Sequence, residues 1–247
     1  MRGITPGLHA IATAACAVAA TAGFSGQGRA AGAAYQVDTA DVSEPGSCKV
    51  ESWISSAGNH DVIASVSPAC VVNMGRAVEL SAQFSRARSE GEWVSGVLPK
   101  IKTNIIPTAI GSWGVAISAA AAYDLTTNEM AALAVTVPAT LRVSNVVRIN
   151  LNVGWQRDRT ISRDYFTYGA GFDWRTPDNI WTLTGEVFGL AGAAEDSGTI
   201  APRFQLGLRY RPVDQFNIDL IYGRNLTGER ANWITLATIV RFKMPEK

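Results

Sequence analysis

Residues 147–155 read Val-Arg-Ile-Asn-Leu-Asn-Val-Gly-Trp, an unbroken alternation of apolar with polar or small residues. In an extended strand successive side chains point to opposite faces, so this run builds one apolar face and one polar face. The same two-beat pattern returns about a dozen times before the C-terminus. A soluble sandwich would alternate as well, but its aromatic residues would cluster mid-strand. Here they flank the strand candidates at their ends, as in a sheet that crosses a bilayer. The pattern predicts an all-β chain: a transmembrane antiparallel up-and-down β-barrel of about 12 strands.

Twelve candidates lie at 49–55, 61–66, 76–86, 93–102, 112–123, 133–143, 147–155, 165–174, 181–188, 202–210, 216–222 and 233–242. Most have about the 9–11 residues that a tilted strand needs to cross. An even count places both termini in the periplasm. Short connections at 144–145, 175–179 and 211–215 suit that side, whereas 67–75 and 103–111 are longer than the rule expects. The outer connections include 156–164, whose Arg157, Asp158, Arg159 and Arg163 read as a solvated charged loop, and 190–201, the longest. Phe84, Trp93, Tyr123, Trp155, Tyr165 and Tyr222 form an expected outer belt. Trp113, Trp174, Trp181, Tyr210, Phe216 and Phe242 form an expected periplasmic one, because rings with a polar edge suit the headgroup level.

The N-terminus reads as an exported protein's signal peptide, 1–33: Arg2 is followed by a short Ala-rich apolar run and small-residue cleavage options. That run is too short and too weakly hydrophobic for a membrane anchor. Residues 34–47, polar and ending near Glu44-Pro45-Gly46, read as a periplasmic lead-in or plug, and 48–247 as the barrel. Leaving out Arg2 and Arg29 takes the 22 basic residues to 20 against 21 acids, so nothing points to nucleic acid. Charged residues are 17% of the chain, below the roughly 25% of soluble domains. Even so, no later stretch reads as a spanning helix; 105–123 is broken by Pro107 and by Gly and Ser. Of three cysteines, Cys16 falls in the signal, behind a poor lipoprotein box. Cys48 and Cys70 stand eleven residues either side of Asn59, the centre of the first hairpin turn, so they are expected to form a disulfide closing its base.

With the apolar parity taken as lipid-facing, the inward residues follow. A lumen polar network is expected from Glu79, Gln83, Asn150, Asn152, Glu186, Arg203, Gln205, Arg209 and Asp219. Lys102, Arg142 and Arg148 would form a basic ring towards the periplasmic mouth. An Arg or Lys facing lipid at the midplane costs ~2–4 kcal/mol, so these charges turn inward and pair. Glu186 and Asp219 are the expected partners of Arg148, Arg203 and Arg209. The inward face of the fifth strand, Ser112, Gly114, Ala116, Ser118, Ala120 and Ala122, and Gly169 and Gly171 on the eighth, leave room for a solute or a large neighbour.

Hydrolytic barrels usually need a His as base. This chain has His9, in the signal, and His60, beside Asp61 in the first outer loop, where a solvated His is expected. No metal-ligand spacing or nucleotide-binding glycine loop appears, so neither an enzyme nor a cofactor is expected.

The order Asn150-Leu151-Asn152-Val153-Gly154-Trp155, Glu186-Val187-Phe188-Gly189, Gly207-Leu208-Arg209-Tyr210 and Asp219-Leu220-Ile221-Tyr222-Gly223-Arg224 resembles the outer-membrane barrel family of the MetA pathway of phenol degradation. Val50-Glu51-Ser52-Trp53, Pro68-Ala69 and Val78-Glu79-Leu80 resemble that family's first strands, so the likeness covers nearly the whole mature chain. Where the family often carries His, this chain has Asn150. The resemblance implies an outer-membrane barrel that passes aromatic or other small hydrophobic compounds. The sequence thus leads us to expect a monomeric channel whose partners are the outer-membrane lipid bilayer and a small-molecule solute. The alternative is a closed structural or surface-interaction barrel working through its outer loops.

Overall fold

The computed structural model describes residues 34–89, 91–192, 202–226 and 231–244. The expected signal peptide at 1–33 lies outside the described residues, as does most of the loop at 190–201. Twelve strands form: Ser47–Ala57 (β1), Val62–Asn73 (β2), Ala77–Ser89 (β3), Glu92–Ile106 (β4), Trp113–Asp124 (β5), Glu129–Arg142 (β6), Val147–Asp158 (β7), Arg163–Arg175 (β8), Trp181–Ala191 (β9), Arg203–Val213 (β10), Phe216–Asn225 (β11) and Asn232–Lys243 (β12). Each pairs antiparallel with its neighbours in sequence, and β1 pairs with β12, so the sheet closes without an edge. All twelve expected strands are present. Closure satisfies every ladder group internally, as a sheet immersed in lipid requires.

The expected outer loop at 156–164 shortens to 159–162, because Gln156 to Asp158 go on pairing with Arg163 to Tyr165. Two connections at the other mouth also differ from expectation. β2 continues to Asn73 because Val71 and Val72 go on pairing with Glu79 and Val78. The turn after it shrinks to 74–76, where Gly75 takes the positive φ of 80° that a side chain would resist. β4 likewise runs to Ile106, leaving 107–112 as a real loop. In the first hairpin Cys48 stands opposite Cys70 and the two are joined in a disulfide, at the mouth that carries both termini.

The outward parity is apolar from strand to strand, with Ile54, Leu80, Ile101, Leu151, Leu208 and Leu236 all exposed. Contiguous apolar surface on that scale is foreign to a soluble monomer and matches the lipid-facing band of a membrane barrel. Phe84, Trp93, Trp155 and Tyr222 are exposed at the mouth opposite the termini, and Trp113, Trp174, Trp181, Tyr210 and Phe242 at the termini mouth. Trp181 and Tyr210 stack with ring centroids 4.8 Å apart. Tyr165 does not belong to the belt. It stands opposite buried Gln156 on the inward parity, and Phe166, opposite Trp155, takes the outward place.

The inward parity is not uniformly polar. Tyr35, Val37, Trp53, Ile221 and Ala237 are buried against one another inside the barrel, with Phe188 packed on them. Tyr35 and Val37 precede β1: residues 34–41 lie in the lumen.

Candidate functional site in the barrel lumen

Residues 34–41 run among the inward side chains, with Tyr35, Val37 and Ala40 fully buried. The segment forms no strand, so its peptide groups need partners from the wall. Glu186 on β9 accepts the N–H of Gln36 at 2.9 Å and of Val37 at 3.3 Å. Asn152 on β7, with its amide oriented to satisfy both groups, donates to the Asp38 carbonyl at 2.8 Å and accepts the Asp38 N–H at 2.6 Å. Thr140 on β6 accepts the Ala40 N–H at 2.8 Å, and the Asn104 amide of β4 donates to the Ala40 carbonyl. Gln205 on β10 donates to the Ala34 carbonyl at 3.3 Å and to Glu186 at 2.9 Å. Five strands therefore supply polar side chains that bind this backbone as a sixth would bind a neighbour.

The segment's two carboxylates meet the cations. Asp38 bridges Lys102 at 2.9 Å and Lys100 at 2.5 Å, and Asp41 bridges Arg148 at 2.9 Å and Arg142 at 3.1 Å. Thr108, in the 107–112 loop, donates its hydroxyl to Asp41. That loop is longer than a plain turn because it folds over β5, where Gly114 leaves the space that Thr108 fills. Burial alone would raise the Asp41 carboxyl, but the Thr108 hydrogen bond and the Arg148 and Arg142 charges outweigh it and hold it below the usual Asp range.

The wall is carved for its occupant. A Cβ on Gly207 would overlap the Tyr35 ring, and one on Gly169 would come within 2.8 Å of the Val37 side chain. Gly171 likewise faces Val37 and Glu186. Of the space expected for a solute or a large side chain, that beside Gly114 is filled by Thr108 and that beside Gly169 and Gly171 by Val37.

The residues read from the sequence differ in how they meet the segment. Asn152, Glu186, Gln205, Lys102, Arg142 and Arg148 touch the segment directly. Asn150 acts one step behind: it accepts from Thr140 at 2.9 Å and donates to Asp173 at 2.9 Å. Arg209 and Asp219 form the expected pair at 2.7 Å, with the Arg209 guanidinium above the Tyr35 ring at 5.8 Å. Glu79 pairs with Lys49 at 3.3 Å and stands opposite Lys102, and buried Gln83 lies further along β3 towards the far mouth. Arg203 has no acidic partner among the described residues. The expected pairing of Glu186 with Arg148 or Arg203 is absent there. Glu186 is taken up by peptide N–H groups, and Arg148 turns to Asp173 at 2.8 Å and to Asp41. Lys102, Arg142 and Arg148 do not ring an opening; they close on the two segment acids.

Sequence reading passed over Asp38, Asp41, Asp173, Lys100 and Thr108. Lys100 and Asp173 share the inward parity of Lys102 and Gly171, so alternation alone could have found them. Nothing local marks Asp38 or Asp41 as occupants of the lumen.

Among solved structures the chain resembles the NanC porin with a TM-score of 0.62 at 7% identity, covering 77% of this chain and 98% of that one. It resembles the KdgM porin with a TM-score of 0.61 at 10% identity, covering 78% and 99%. An outer membrane channel from Pseudomonas putida F1, COG4313, matches at 0.55 and 12% identity, covering 82% and 97%. At such identities the likeness establishes the fold, which is that of outer-membrane porins. No curated protein matches this sequence. A family model does match, over residues 17–242, nearly the whole chain, and on that match the chain belongs to the family described as uncharacterised conserved protein UCP029691.

Proposed function

We propose that this protein is an outer-membrane channel for small molecules whose pathway is occupied by its own residues 34–41, with both termini in the periplasm. One observation carries the reading: the lumen is wide enough to admit a stretch of polypeptide that belongs to no strand. In a barrel filled by its own wall side chains no such passage exists; a twelve-stranded one is intermediate in width between those and open porins. The segment is held by side chains alone, so its withdrawal leaves every strand ladder intact.

The wall also supports a narrower reading of the solute. Trp53, Ile221 and Phe188 form an apolar patch under Tyr35, and the wall cations that hold Asp38 and Asp41 face the same lumen. A small compound with an aromatic or other apolar body and an anionic end matches both surfaces, which refines the expectation of small hydrophobic solutes.

Single-channel recording in planar bilayers tests the proposal. The wild-type chain is expected to conduct rarely, and the Asp38→Asn, Asp41→Asn double variant to open at least tenfold more often. Silence from a well-folded double variant would sink the transport reading and favour the closed barrel that works through its outer loops. In the open variant Arg148→Glu should shift selectivity towards cations; an unchanged reversal potential removes Arg148 from the pathway.

A further inference from the structure

The β4–β7 cations are matched by the segment's acids, but those on the opposite wall are not. Arg175 on β8 and Arg209 on β10 both stand in register with Thr182 on β9, so they flank it two strand spacings apart, about 10 Å between backbones. Arg211, two residues further along β10, and Arg241 on β12 complete a group at the termini mouth. Arg175 lies close enough to Arg211, Arg148 and Arg209 to feel their charge, as Arg241 does to Arg209 and Arg211.

The nearby acids have their contacts filled, and only Asp219 spends one on this group. Asp219 takes the Arg209 Nε at 2.7 Å and the Asn217 amide at 2.6 Å. Asp173 takes Arg148 at 2.8 Å, the Asn150 amide and the Thr184 hydroxyl. Glu51 pairs with Lys49 at 3.3 Å, and Asp214 reaches Arg211 only at 4.0 Å in an exposed turn. Arg241 donates to the Asn217 amide oxygen at 2.7 Å and forms no ion pair among the described residues. Arg175 forms none there either; the carboxylate that acts on it, Asp173, already holds Arg148. Independently, the Nη2 of Arg209, a residue nine-tenths buried, has no hydrogen-bond acceptor among the described residues. Guanidinium N–H groups withdrawn from bulk water and left without an acceptor are costly, and a planar oxyanion meets them two at a time.

We infer that Arg175, Thr182 and Arg209, with Arg211 and Arg241 beside them, form a binding site for a small oxyanion, a carboxylate or phosphate carried by a solute. The anion sits between the Arg175 and Arg209 forks and accepts from the Thr182 hydroxyl. Arg211 and Arg241 hold it by charge. The site is built from wall residues alone, so it stands whether or not the barrel conducts.

Calorimetric titration of the full-length protein in detergent, at constant ionic strength, tests this with inorganic phosphate and separately with succinate. Saturable binding is expected for at least one of them, and the stronger identifies the group recognised. Arg175→Gln should weaken it at least tenfold, and Arg88→Gln, an exposed arginine near the opposite mouth, should leave it unchanged. Arg175→Gln strands no acid, so the variant should fold, and the bound anion should raise the unfolding temperature of the wild type but not of this variant. The inference is overturned if neither anion saturates the wild type, if wild type and Arg175→Gln bind equally, or if Arg88→Gln loses as much.

Discussion

The two walls of the lumen carry similar charge and use it differently. On β4–β7, Lys100, Lys102, Arg142 and Arg148 each reach a carboxylate of the chain's own N-terminal segment. On β8–β12, Arg175, Arg209, Arg211 and Arg241 share little beyond Asp219, and the segment meets that wall through the Tyr35 ring and through peptide groups bound to Glu186. The contrast shows that a count of inward cations does not say what a lumen holds. What matters is whether an acid of the same chain has been placed to meet them. One wall is occupied from within, and the other remains available to an arriving anion.

The comparison breaks most visibly at Asp38. Asp38→Ala leaves buried Lys102 and its neighbour Lys100 facing each other, and removing one partner of a buried pair costs about 3–5 kcal/mol. Hydrogen exchange should show residues 34–41 changing from protected to open while the strands stay protected; retained protection would mean that the acid does not anchor the segment. A smaller effect is expected from the other wall. Gly207→Leu drives a side chain into the Tyr35 ring, and overpacking of this kind costs about 1–3 kcal/mol. Partial loss of protection centred on Tyr35 is the expected exchange result.

Acid should separate the walls further. The Asp41 carboxyl titrates below the usual Asp value, so its hold on the segment is complete above about pH 4 and is lost as pH falls through that lowered value. Opening in planar bilayers should stay level from about pH 7 to 5 and rise below about 4. Asp41→Asn should abolish that rise; an unaltered rise in the variant would assign the titration elsewhere. The smallest expected effect is that of Arg175→Gln on folding, within about 0.5 kcal/mol by denaturant titration, because no acid loses its partner. Arg148→Gln, which deprives both Asp173 and Asp41 of a guanidinium, should cost more.

The barrel was legible because strand alternation is local: parity in runs such as 147–155 assigned the lipid and lumen faces of Ile149 and Asn150 without any knowledge of partners. The Cys48–Cys70 pairing was legible for the same reason, since a hairpin mirrors residues about its turn. Parity gives the face of a position, as Glu51 and Asp219 do for their rows, but not the polarity of every residue on it. Trp53 and Ile221 face inward although apolar residues were taken to face lipid, and they do so to receive Tyr35. The segment itself has no periodicity, and its contacts join Asp38 to Lys100 and Gln36 to Glu186, far apart in the chain. No local rule reaches that distance, so Asn152 and Glu186 could be placed in the lumen without revealing that they bind backbone.

The turn at Glu44-Pro45-Gly46 gives the arrangement a kinetic consequence. Gly46, at a φ of 84°, hands the segment directly to β1, and its N–H is tied to the Val71 carbonyl at 2.8 Å. Once released, Asp41 would be leashed to the rim by residues 42–46 alone. A leash that short keeps its carboxylate at an effective concentration in the millimolar range beside Arg142 and Arg148. Re-docking is then an intramolecular step, independent of how much protein the membrane holds. A solute that binds the same guanidinium groups with equal affinity must reach comparable abundance at that mouth, so the length of this leash sets the solute level at which the lumen changes hands.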